Sequence, residues 1–145
     1  MLRNFGAVVL GLVGGMAVNM VVIHFNSTVF FPAPEGMDMN DVEAYNQYIG
    51  SLPYYAFFPV IFAHLAQSFI GAWIAARLAH SRPRALAMVI GALSLLGGVL
   101  AMMMIDGPDW LVIELPFYLL VAWLAGSREV ERRQELSTIP LENQG

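Results

Sequence analysis

The 145-residue chain has no cysteine and no lysine. Without a thiol there is no disulfide, no thiolate metal site and no cysteine nucleophile. Charge of either sign is scarce as well. Charged residues make up 12% of the chain, about half the usual share of a soluble domain. Such a chain cannot cover itself with polar surface, which excludes a soluble globular domain; disorder, collagen and coiled coil are excluded too. Catalytic signatures are also missing. There is no phosphate-binding loop, GxGxxG, HExxH or paired-carboxylate arrangement, and Ser68 and Ser94 have no triad context. No enzyme is expected.

What is present is apolar. Hydrophobic residues make up 58% and the mean hydropathy is +0.63. A bilayer-spanning helix takes about 20 residues. Four runs qualify, at about 5–25, 54–76, 85–105 and 110–126. The first is too long for the apolar part of a signal peptide. It ends in His24-Phe25-Asn26 without a small-residue cleavage site, so it reads as a retained helix. Asp106-Gly107-Pro108-Asp109 marks a turn before the fourth. The expected fold is all-α: four transmembrane helices in two hairpins forming one domain over 1–126. Residues 26–53 form an outer loop, and 127–145 a polar, frayed cytoplasmic tail.

The arginines set the orientation. Arg3 precedes span one, Arg77, Arg82 and Arg84 surround the second connection, and Arg128, Arg132 and Arg133 follow span four. In a four-span chain those places share one side. Basic residues in short loops mark the cytoplasm, so both termini are expected there. The opposite side carries Glu35, Asp38, Asp41, Glu43, Asp106 and Asp109. Phe30, Phe31, Tyr54, Tyr55, Phe57, Phe58 and Trp110 gather at that outer interface, where amphipathic rings favour the headgroup level. The net charge of −4 averages two opposed faces and does not point to nucleic acid.

Each span carries a small or polar stripe at helical spacing. Span one has Gly11, Gly15 and Asn19; span two has His64, Gln67, Ser68, Gly71 and Ala75. Span three has Ala87, Gly91, Ser94 and Gly98; span four has Glu114, Tyr118, Ala122 and Gly126. Small residues let helices approach closely in lipid. Gly11, Gly15, Gly71, Gly91 and Gly98 are therefore expected as packing points. Two uses compete, contact within one bundle and contact between copies. Four stripes on four helices favour the first.

Polar residues inside spans are functional candidates by default. Asn19, His64, Gln67 and Glu114 form the expected intramembrane cluster. At 1.5 Å rise per residue, Asn19 and Glu114 share a depth of roughly 10 Å from the outer end, with His64 within reach below. The cluster reads as a proton or ligand site, as a hydrogen-bonded clasp, or as Glu114 simply reaching the outer water. His24 and His64 differ by about 12 Å in depth on the same rise, too far for bis-histidine haem ligation. Asp38-x-Asn40 lacks the glycine and glutamate an EF-hand loop needs, since Glu43 and Ile49 stand there. No cofactor or metal is expected. Asn40 followed by Glu43 looks like a capping box for a short helix to about Gly50. Its face of Val42, Tyr45 and Ile49 suits a membrane surface.

Pro34-Glu35-Gly36-Met37-Asp38 with Asp41, then Ser51-Leu52-Pro53, resembles a group of small four-span bacterial membrane proteins without an assigned function. Ala75-Ala76-Arg77-Leu78-Ala79 and the third span with Gly91, Gly97 and Gly98 resemble it too. The likeness covers roughly residues 5–126 and implies a bacterial inner membrane. It carries over no catalytic or binding residue. The expected role is a small accessory or scaffold protein that contacts lipids and other membrane proteins or itself. The rival is a small oligomeric transporter or channel using the Glu114, His64 and Asn19 cluster.

Overall fold

The computed structural model describes residues 2–38 and 40–138. Among these the regular structure is all helix, without strands. The helices are α1 (Leu2–Phe25), α2 (Val42–Ser51), α3 (Phe58–Leu78), α4 (Pro83–Met104) and α5 (Leu115–Thr138). With their adjoining turns, α1, α3, α4 and α5 are each long and apolar enough to cross a membrane.

Local chemistry sets the ends. Ser27 and Thr28 donate hydroxyl hydrogen bonds back to the His24 carbonyl, at 3.2 and 2.7 Å. Such back-bonding competes with the helical ladder, and α1 widens into a π turn over Asn26–Phe30 before Pro32 and Pro34 end it. Proline fits a first helical turn, where its missing N–H has no partner to lose. Pro59, Pro83 and Pro116 each stand at that place. The apolar runs that begin at Tyr54 and Trp110 therefore open as 3-10 turns, Tyr54–Phe57 and Asp109–Glu114.

The tail departs from expectation. Residues 127–138 are not frayed: α5 continues unbroken to Thr138. The sequence reading ended the helix where polarity rose, yet the buried face goes on from Ala122 and Ala125 to Glu129. Residues 139–145 of that tail lie outside the described residues.

The short loop helix is also shifted. Asp38 Oδ1 takes both the backbone and the side-chain donors of Asn40. Asp41 is therefore the cap, accepting from the N–H groups of Glu43 and Ala44 at 3.0 and 3.2 Å.

α1 packs chiefly on α3, and α4 on α5; α3 also touches both α4 and α5. Small side chains decide how close these approaches are. A Cβ added at Gly11 would lie 2.5 Å from the Gly71 carbonyl oxygen, and one at Gly15 2.5 Å from that of Gln67. One at Gly91 would meet the Ala122 Cβ at 2.6 Å, and one at Gly98 the Tyr118 ring at 2.8 Å. Ala72, Ala75, Ala76, Ala87, Ala122 and Ala125 fill the rest of the core around Ile90. Gly11, Gly71, Gly91 and the alanines lie toward the arginine end, Gly15 near the middle of α1, and Gly98 toward the acidic loops. Toward the acidic loops the facing residues are larger, among them Phe57, Val60, Met102 and Leu111. Close packing at one end and bulk at the other make the bundle a wedge.

Candidate functional site

The open end of the wedge encloses a cavity of about 630 Å³. Its wall draws on each long element: Asn19 and Ile23 of α1, Val60 and His64 of α3, Ala101 of α4, and Leu111 of the turn before α5. α2 lies over it as a roof. Tyr45, Tyr48, Ile49 and Leu52 line the cavity, while Val42 is 58% exposed. The apolar face of α2 thus turns toward the bundle rather than lying on a surface. Asn46 ties the roof to the α4–α5 turn: its amide nitrogen donates to Asp106 at 3.4 Å, and its oxygen accepts from the Asp106 N–H at 3.2 Å. Tyr48 donates to the Phe31 carbonyl.

At the inner end of the cavity sits Glu114, 3% exposed. One oxygen, Oε1, lies 3.0 Å from His64 Nδ1 and accepts from the Tyr118 hydroxyl at 2.8 Å. The other, Oε2, is buried and has no partner. The His64 side chain is 29% exposed and shares the wall with Glu114. Ser68, one turn along α3, donates to the Tyr118 carbonyl at 3.0 Å and fixes α5 against α3. Asn26, in the π turn, gives its amide nitrogen to the Ala56 carbonyl at 3.4 Å, and its buried oxygen is also unpartnered.

Of the four residues expected in one cluster, the structure joins His64 and Glu114. Asn19 shares the cavity wall but makes no hydrogen bond to Glu114. Its expected place as the main partner of Glu114 goes to His64 and Tyr118. Gln67 is one turn deeper, where α1 closes on α3, and it packs against Gly15 rather than lining the cavity. His24 is exposed. Tyr118 stood in the stripe of span four only as a packing residue; its four-residue spacing from Glu114 was the signal for the hydrogen bond. Asn26 had no such signal, since a π turn carries no periodicity that sequence could reveal. His64 and Glu114 could donate to a metal, but among the described residues no third histidine or acidic side chain joins them.

A second buried carboxylate lies at the arginine end. Glu129 is 1% exposed. Arg132 binds both its oxygens, at 2.8 and 2.6 Å, and Arg133 and Arg77 add bonds of 2.8 and 3.3 Å. The Arg132 hydrogen bonds, followed by those of Arg133 and Arg77, outweigh burial and lower its carboxyl to about 2. Arg133 also donates to the carbonyls of Ala76 and Ala79, both at 2.9 Å. Those are carbonyls that a helix end leaves without partners, so Arg133 caps α3. The residues responsible were read as tail, although Glu129 stands three and four positions before two arginines, the spacing of helical ion pairs.

No protein-family model, curated protein or solved structure matches the chain. The resemblance carried by Pro34–Asp38, Ser51–Pro53 and the glycines of the third span rests on those residues alone.

Proposed function

We propose that this chain is a multi-pass protein of a bacterial inner membrane, with both termini in the cytoplasm, that takes up a small ligand from the outer side. Four long apolar helices support the membrane setting, and the gathering of all seven arginines at one end supports the orientation. One observation carries the ligand site. Glu114 is buried in the wall of a cavity of about 630 Å³ with one oxygen left without a partner. Buried polar groups are ordinarily satisfied, and the volume lies within the usual range of small-molecule pockets, about 300–1,000 Å³. A cavity at the acidic-loop end of the bundle, roofed by α2 and bounded at its inner end by Glu114, suits a small transporter that loads from the outer side.

The accessory reading stands second. It rested on the missing enzyme motifs, the short soluble parts and the supply of small-residue faces, and those faces at Gly11, Gly15, Gly71 and Gly91 are used inside the bundle. What favours it is α1, which packs on little but α3 and leaves Phe5, Met16 and Met20 exposed for a neighbouring protein. Copurification of a stoichiometric partner in gentle detergent, lost on changing Met16 and Met20 to Ala, would favour that reading.

Because the chain has no cysteine, single introduced thiols report position cleanly. In intact cells a small, membrane-impermeant thiol reagent should modify Ser51→Cys at the roof and Ala101→Cys in the cavity wall. Ser137→Cys should react only after the cells are broken. Equal reaction of Ser51→Cys and Ser137→Cys would overturn the orientation. An Ala101→Cys variant inert even in detergent would overturn the cavity as a site.

A further inference from the structure

The cavity has a chemical polarity beyond its shape. Among the described residues, three buried side-chain polar atoms lack a partner: Glu114 Oε2, Asn26 Oδ1 and Ser127 Oγ. Glu114 and Asn26 both line the cavity, and both orphaned atoms are acceptors. Three of the donors nearby are already engaged, while the Asn19 amide and the Tyr45 hydroxyl also line the cavity. The Asn26 amide nitrogen is given to the Ala56 carbonyl, the Tyr118 hydroxyl to Glu114 and the Tyr48 hydroxyl to Phe31. No arginine lines the cavity and the chain has no lysine. The only basic side chain in the wall is His64, whose Nδ1 faces Glu114. Asp109, exposed at the mouth, adds a second carboxylate. Tyr45, Tyr48 and Phe57 supply aromatic faces, which attract cations electrostatically.

Each ligand class meets a different response. An anion would be repelled by Glu114 and Asp109. A molecule that only accepts hydrogen bonds would leave both orphaned oxygens unsatisfied, and an unsatisfied buried acceptor is expensive. A protonated amine supplies donors and positive charge together, and an apolar body would fill the remaining wall. We propose that the ligand is an organic ammonium compound, a primary or secondary amine carrying an aromatic or aliphatic body. Its N–H groups bond Glu114 and Asn26, and its body lies beneath the roof of α2. The inference rests on the reading that this cavity takes a ligand, and it names the class.

Protection of the Ala101→Cys variant from a thiol reagent provides the test. The protein is held in dodecyl maltoside, which contributes no ammonium. Three probes share one body and differ in head: 3-phenylpropylamine, 3-phenylpropanol and 3-phenylpropanoate. The amine should slow modification at a concentration about tenfold below the alcohol, as one charge-assisted hydrogen bond implies. The carboxylate should give no protection. Adding Glu114→Gln, which keeps the side chain's shape, should raise the protecting amine concentration about tenfold. Asp109→Asn, at an exposed position, should raise it about twofold to threefold, as suits a screened charge. A parallel arm replaces the free amine with phosphatidylethanolamine. Protection there identifies a lipid headgroup as the source of the ammonium, and protection by the free amine alone identifies a soluble ligand. If Ala101→Cys reacts but the three heads protect equally, or the acid protects best, the amine proposal is overturned while the ligand site stands. If Ala101→Cys does not react at all, the site fails and the proposal with it.

Discussion

Glu114 and Glu129 are both buried carboxylates, 3% and 1% exposed, at opposite ends of one bundle, and their surroundings differ in kind. Three guanidinium groups bind Glu129, and each of its oxygens has at least two partners. Glu114 has His64 and Tyr118 on one oxygen and nothing on the other. Glu114 borders the cavity between the helices; Glu129 does not. A buried charge with every lone pair engaged is a structural fastening. A buried carboxylate left half engaged in a cavity wall is what the proposed ligand site draws on. The contrast supports reading the arginine end as frame and the acidic end as the proposed site, from one residue type in two environments.

The largest effect should follow removal of the fastening. Glu129→Leu leaves Arg77, Arg132 and Arg133 crowded without an anion. Breaking a fully buried pair typically costs about 3–5 kcal/mol. Here the arginines are 45, 37 and 32% exposed, so water screens part of the loss and about 2–3 kcal/mol is expected. Glu129→Gln, which keeps the shape, should lose less. Thermal melting in detergent measures both. The pH profile sharpens the assignment. The Glu129 carboxyl is lowered from 4.5 to about 2, so the folded state binds its proton less tightly than the unfolded state does. Its stabilisation is complete above 4.5 and is lost as pH falls from there toward 2. The parent should lose melting temperature across that interval, and Glu129→Gln should lack that part of the decline. Parallel curves for the two proteins would remove Glu129 from the fastening role.

How far the sequence revealed these two ends follows from what kind of signal each carries. Hydropathy reports burial in an apolar medium, so four spans were readable, and proline positions marked their starts to within a few residues. The glycine stripes were readable because helical spacing alone puts Gly11 and Gly15, or Gly91 and Gly98, on one face. Their contact partners were not, since which face meets which depends on the relative rotation of two helices. Glu114 drew attention because a carboxylate within an apolar run is conspicuous. Glu129 did not, because charge beyond an apolar run is ordinary, and its burial arises only when α3 and α5 bring Arg77 alongside. Asn19 and Gln67 were grouped with Glu114 by depth. Depth ignores direction: Gln67 points to the α1 contact, and Asn19 faces the cavity without reaching Glu114.

The next effect concerns the taper that separates the two ends. At Gly11 the obstacle to a side chain is backbone, the Gly71 carbonyl oxygen at 2.5 Å, and at Gly91 it is the Ala122 Cβ at 2.6 Å. Neither can turn aside, so the helices must part. Gly11→Leu and Gly91→Leu should each cost about 1–3 kcal/mol, the usual range for overpacking. Gly97 lies six residues along the same helix as Gly91 and has nothing within 4 Å of its position. Gly97→Leu should melt at or above the parent temperature, since glycine within a helix is destabilising by roughly 0.5–1 kcal/mol. If Gly97→Leu is as damaging as Gly91→Leu, the closed half of the wedge is misassigned and the contrast between the ends loses its frame.

The smallest stability effect should come from Glu114, and its smallness is what distinguishes the two carboxylates. Glu114→Leu removes the acceptor that holds His64 and Tyr118 together, and also removes the unpartnered oxygen, which is a liability in the folded protein. Interhelical hydrogen bonds between membrane helices are worth about 0.6 kcal/mol on average and rarely more than about 1.7 kcal/mol. The net loss should therefore be about 1 kcal/mol or less, well below that of Glu129→Leu. Glu114→Gln keeps an acceptor for the Tyr118 hydroxyl, now 2.8 Å from Oε1, and offers an amide donor in place of the orphaned oxygen. Its melting temperature should match or slightly exceed that of the parent, because a neutral amide costs less to bury than a carboxylate. The same substitution should nevertheless weaken capture of a cationic ligand, which depends on the charge. Stability retained with binding lost is the signature of a site, whereas a clasp would lose stability first. A Glu114→Gln protein that melts several degrees lower, with ligand protection of the cavity unchanged, would make Glu114 a second fastening and dissolve the distinction between the two ends.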